Sequence, residues 1–187
     1  MARRVQAALA RLYELEPSED VRDFIEPASA GERETLLLRE CGEGVELSLR
    51  LAPLAGESSV DLDGVCQLIE GVSHFVYIAE RAKAGRPTTQ LELEIQAEVD
   101  KYVVLAAAIS RLDVRTSERL RDRLYERVSY VNHAGSECGD RYRMANAVAQ
   151  RFTRRLERDY LARRRIVEMR EALRVFFRMG QQDKLRG

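Results

Sequence analysis

The chain has 187 residues, of which 45% are hydrophobic and 33% charged, and its formal net charge is zero. That composition fits one folded domain with an apolar core and excludes a disordered chain. The longest apolar run, Tyr102 to Ile109, is far too short to cross a bilayer, and the first residues form a mixed amphipathic segment without a signal-peptide core.

The zero charge conceals a segregation. Met1 to Pro87 is net −6, Thr88 to Asp140 net −3 and Arg141 to Gly187 net +9. A basic segment is thus joined to an acidic body, to dock on it or to be offered to an anionic partner. The three cysteines, Cys41, Cys66 and Cys138, are odd in number and lack CxxC spacing. They read as free buried thiols in a reducing compartment, with a cytoplasmic location as the expectation.

Taken in chain order, residues 1–30 predict two short helices. Val5, Ala8, Leu9, Leu12 and Leu15 recur at helical spacing until Pro17, and Ser18 is placed to cap a second helix that must end by Pro27. Residues 34–52 predict a β-hairpin. Val45, Leu47, Leu49 and Leu51 alternate with polar residues, Gly42 to Gly44 supply a turn, and Thr35 to Glu40 pair back. The hairpin's free edge is a place for a second copy to pair.

Residues 62–131 predict the central helices. Asp63 is placed to cap the first of them, which carries Val65, Leu68, Ile69, Val72, Phe75 and Val76 on one stripe and stops at Gly85. Thr89 and Glu92 form a capping box for the next, expected to reach Leu112 and to pack antiparallel to its predecessor. A third helix is expected over Ser117 to Val131. After a break at 132–139, residues 140–179 predict one long basic helix, which would span about 60 Å unless it kinks near Arg163, Arg164 and Arg165. The polar tail 180–187 is expected to fray. The fold class is mainly α: a single-domain bundle of about five to six helices with a small hairpin at one side.

Asp61-Leu62-Asp63-Gly64-Val65 matches the DxDGV string of haloacid-dehalogenase-type phosphatases, whose two aspartates are nucleophile and acid/base. Those enzymes place it behind a buried strand of a doubly wound sheet. Here Ala55 to Ser59 precede it and amphipathic helices follow, so a helix-start role for Asp63 is the reading kept. No P-loop, GxGxxG, GxSxG or HExxH string occurs. His133, Glu137 and Cys138 lie close in sequence but read as an interhelical loop, and no cofactor is implied.

Three groups of residues remain as candidate sites. Glu70 and His74 share a helix face, and Glu94 and Glu98 are likewise four apart on the next helix. Glu70, His74 and Glu98 are therefore the candidate metal ligands. Arg151, Arg154, Arg155, Arg158, Arg163, Arg164 and Arg165 present guanidinium groups at helical pitch, suited to nucleic acid or an acidic protein. Phe176, Phe177 and Met179 form an apolar cluster suited to an oligomer or partner contact. The leading functional expectation is a non-enzymatic scaffold or regulatory protein that acts through helix-mediated oligomerisation and partner binding. A nucleic-acid module using the arginines, and a metal-dependent helical protein using the Glu/His site, are the alternatives.

Overall fold

The computed structural model describes residues 1–16, 19–27, 35–41, 44–51 and 62–187. The protein is mainly helical, and its first helix, α1 (Ala2–Tyr13), buries Val5, Leu9 and Tyr13 and ends at Glu14 in a left-handed conformation. Asp20 accepts from the Arg22 amide and so caps a 3₁₀ turn over Val21–Phe24; Ser18, expected in that role, lies outside the described residues. The chain then leaves helical geometry before Pro27, because Ile25–Pro27 forms strand β1.

The hairpin is present as β2 (Thr35–Cys41) and β3 (Gly44–Leu51), paired antiparallel. Strand β1 adds to β3 in parallel, giving the order β1-β3-β2. The predicted two-stranded hairpin therefore has one of its edges covered by its own chain. Leu49 is fully buried, and Phe24 meets Phe75 of the following helix at 5.0 Å between ring centres.

Helix α2 (Leu62–Lys83) covers the expected segment, with Asp63 in its first turn, where its carboxylate accepts from Gln67. Gly85 takes the expected left-handed φ, 61°. Thr89 caps α3 (Gln90–Ala107) by accepting from the Glu92 amide. The reciprocal half of the predicted box is not made, because the Glu92 carboxylate turns inward to Tyr77. Contacts from Glu70 to Lys101, Ser73 to Asp100 and Tyr77 to Glu92 run in opposite senses along α2 and α3, which makes the pair antiparallel as predicted.

Helix α4 (Val114–Tyr125) is displaced towards the N-terminus of the expected segment, since Asp113 caps it through the Thr116 amide. Ser136 caps α5 (Glu137–Leu156). The long helix foreseen over 140–179 is two helices. Helix α5 runs into a π-turn at Glu157–Leu161, Arg164 adopts a φ of 54°, and α6 (Ile166–Arg178) folds back. A left-handed arginine costs roughly 1–2 kcal/mol. Burying Leu173, Phe176 and Phe177 returns about 1.5–3 kcal/mol each, so reversal wins over projection.

The tail does not fray in the structure. Gln181–Arg186 form α7, and Lys184 is completely buried. Among the described residues no helix is long and apolar enough to cross a membrane.

Candidate metal centre and the cavity beside it

Helices α2 and α3 carry polar side chains inside the bundle on two sides. The first group is closed. Ser73 Oγ donates to Asp100 Oδ2 at 2.6 Å, Gln96 Nε2 donates to Asp100 Oδ1 at 2.9 Å, and Tyr13 OH also donates to Oδ1. Lys184 Nζ donates to Gln96 Oε1 at 2.5 Å and stands over the rings of Tyr77 and Phe176 at 4.5 and 4.8 Å. Burial pulls the Lys184 ammonium down to about 7, against the attraction of Asp100 and Glu92. Burial also raises the Asp100 carboxyl, opposed by its bonds to Ser73, Tyr13 and Gln96.

The second group lies further along the same two helices. Lys101 Nζ donates to Glu98 Oε1 at 2.8 Å and to Glu70 Oε2 at 3.1 Å. Burial alone would lower the Lys101 pKa, but Glu98 and Glu70 outweigh it and hold the ammonium above its usual range. Burial raises the Glu98 carboxyl. His74 Nε2 and Glu94 Oε2 are 3.8 Å apart, and Arg141 Nε of α5 is 3.8 Å from Glu94 Oε1.

One ligand atom from each of Glu70, His74 and Glu94 lies within 4.8 Å of the other two. The His74–Glu94 gap of 3.8 Å exceeds a hydrogen bond yet is within the span of two metal–ligand bonds of about 2.1 Å. One imidazole and two carboxylates are a donor set for borderline first-row divalent ions. The group shares Glu70 and His74 with the trio expected from the sequence and has Glu94 in place of Glu98. Glu94 stands with Glu70 and His74 in this group, while Lys101 pairs with both Glu70 and Glu98. Glu94 and Glu98 lie on one helix, and only the rotation of α3 against α2 decides between them.

Glu70, Glu98 and Lys101 also line a cavity of about 550 Å³, closed on its other side by Arg123, Tyr130 and Tyr142. Cys66 faces this cavity, and burial pushes its thiol up to about 11, which makes it a poor nucleophile.

The other predicted residues serve elsewhere. Phe176 stacks on Phe152 at 3.9 Å and Phe177 on Tyr13 at 4.2 Å, both inside the chain's own core, and Met179 packs beside them. Arg151 and Arg155 donate to the carbonyls of Leu185 and Gly187, both at 3.1 Å, and so hold α7. Arg154 pairs with Glu126, Arg158 with Asp159 and Arg165 with Glu168, whereas Arg163 and Arg164 are exposed at the reversal. The guanidinium row is split between α5, the π-turn and the reversal that precedes α6. His133 and Cys138 are exposed, and the His133 carbonyl accepts from Ser136.

No protein-family model, curated protein or solved structure matches this chain. The functional reading rests on the geometry above.

Proposed function

We propose that the protein is a metal-dependent helical protein that binds one divalent first-row transition-metal ion between Glu70, His74 and Glu94. The convergence of these three donor atoms from two packed helices carries the reading. A three-residue set leaves coordination positions open, as metal sites that act on a ligand do. Glu70 belongs to both the donor set and the cavity wall, so those open positions have a space to face. Lys101 Nζ lies 3.1 Å from Glu70 and Arg141 Nε 3.8 Å from Glu94, so each carboxylate has a cation beside it. His74, buried between the helices, would bind as neutral imidazole, so the metal competes with its proton.

The scaffold and nucleic-acid readings are supported less by the geometry. The phenylalanines proposed for an oligomer contact lie in the core, and two of the arginines proposed for phosphate hold α7.

Metal-stripped protein titrated calorimetrically with Mn²⁺, Fe²⁺ and Zn²⁺ tests the proposal. Binding of about one ion per chain is expected, weakened roughly ten- to a hundredfold or more in Glu94→Gln and His74→Ala. Glu98→Gln is expected to change it by less than about threefold, since that carboxylate is a neighbour rather than a ligand. Equal losses in Glu98→Gln and Glu94→Gln, or binding untouched by all three, would overturn the assignment.

A further inference from the structure

The cavity beside the donor set has two chemically unlike walls. One is acidic and lies on α2 and α3, where Glu70 and Glu98 flank Lys101. The other comes from the end of α4 and the turn after it, where Arg123 and Arg127 stand four residues apart, both exposed and both lining the cavity. Arg123 lies in the last turn of α4 and Arg127 in the bend just beyond it, and both line the same cavity. Neither guanidinium makes a hydrogen bond or an ion pair to any described residue, whereas neighbouring Arg121 is held by Glu157 and Asp122. Two guanidinium groups without an ion-pair partner among the described residues, lining one concave space, are suited to a carboxylate or phosphate.

Between the two walls the lining is apolar and aromatic: Leu62, Leu124, Val128, Val131 and the rings of Tyr130 and Tyr142. Val128 and Val131 are 38% and 70% exposed, and both line this space. A volume of about 550 Å³ lies within the roughly 300–1,000 Å³ range of small-molecule sites.

We infer that the cavity is a binding site for a small organic anion, a carboxylate or phosphate monoester with an apolar or aromatic body. Its anionic head sits between Arg123 and Arg127, and its body lies against Val128, Val131 and the two tyrosines. The inference shares Glu70 with the metal proposal but does not require a bound ion, because the arginine pair is on the opposite wall.

The test uses the full chain with phenyl phosphate and benzoate as anionic probes and benzamide as the neutral control, each titrated with and without a chelator. Both anions are expected to bind the chelator-treated protein at least about tenfold more tightly than benzamide, and Arg123→Ala/Arg127→Ala is expected to remove that preference. Cys66 gives the location. It lines the cavity, whereas Cys138 is exposed outside it. Saturating phenyl phosphate is expected to slow alkylation of Cys66 and leave that of Cys138 unchanged, followed site by site by mass spectrometry. Equal binding of benzamide, an unaffected double variant, or anion binding that leaves Cys66 unprotected would each overturn the inference. Loss of metal binding with the anion preference intact would sink the metal proposal alone. Anion binding that appears only with metal present would instead mean that the ion, not the arginine pair, holds the anion.

Discussion

On one side of the α2–α3 pair, Asp100 receives Tyr13, Ser73 and Gln96, and Gln96 in turn receives Lys184. Every member has a short partner, and α7 covers the group. On the other side, Glu70, His74, Glu94 and Glu98 put four ionisable groups against Lys101 and Arg141. Two of those contacts are 3.8 Å long, and a cavity adjoins. A satisfied buried network fixes how elements dock, and the second cluster differs from it in having a cavity along one side.

The comparison breaks most sharply at Asp100. In Asp100→Ala, three buried donors lose their acceptor, and the expected cost is about 3–5 kcal/mol. It reads as a fall in the urea midpoint at unchanged slope. Glu94→Gln should cost at most about 1–2 kcal/mol by the same assay, because its carboxylate is replaced by an isosteric amide that can still accept a hydrogen bond. Comparable losses in the two variants would make both clusters structural.

Lys184 sharpens the same contrast through pH. Its folded pKa of about 7 lies below the ordinary lysine value of 10.5. Between those values the unfolded chain holds more protons, so this group makes stability rise with pH from 7 upward; below 7 its contribution is flat and lowest. Asp100, Glu92, Arg81 and the Tyr77 ring are the groups that face it. Burial raises the Cys66 thiol from 9.0 to about 11, which opposes the trend above about pH 9, and raises Tyr13 and Tyr125 above the usual phenol range, which opposes it above about pH 10. Unfolding midpoints taken from about pH 7 to 8.5 should therefore climb in the native chain, by up to about 1.4 kcal/mol per pH unit. The slope should be lost in Lys184→Met, and a slope that survives the substitution would place the titrating group elsewhere.

How far these clusters were legible follows from where their signals lie. Thr89 and Gly85 act locally, through a side-chain cap and a left-handed φ, and both are found where the sequence puts them. The α2 stripe and the β3 alternation are likewise periodic and local. Glu92, Gln96 and Asp100 also share a helical face, but that face reads as solvated because their partners come from Tyr13, 87 residues from Asp100, and Lys184, 88 residues from Gln96. Nothing near Gln181 to Arg186 announces burial. The reversal at Arg164 carries neither glycine nor proline; it is driven by the apolar side of α6, a tertiary cause.

Gly139 closes the cavity from the α5 side. A Cβ there would fall inside contact distance of the His133 carbonyl oxygen, a backbone atom with little room to yield. Gly139→Ala should cost about 1–3 kcal/mol by overpacking, and it should change the alkylation rate of Cys66 across the cavity while leaving the Lys184 pH slope intact. A pH slope altered together with the cavity would mean that the two regions are mechanically one.

The smallest expected effect concerns the arginines. Arg151 and Arg155 donate to the last carbonyls of α7, the end of a helix where cations are favoured. Each substitution to Ala should cost only about 0.3–1 kcal/mol, too little for a reliable midpoint shift but enough to raise amide exchange across 181–187 severalfold. Exchange within α3, where Asp100 and Gln96 reside, should stay put, because those bonds do not pass through the arginines. The same variants separate a structural role from a phosphate-binding one. If duplex DNA binds the native chain and Arg154→Glu/Arg158→Glu removes that binding while Arg151→Ala and Arg155→Ala leave it intact, the exposed pair serves a partner and the other pair serves α7. If none of the four alters α7 exchange, Lys184 and its bond to Gln96 hold that helix alone.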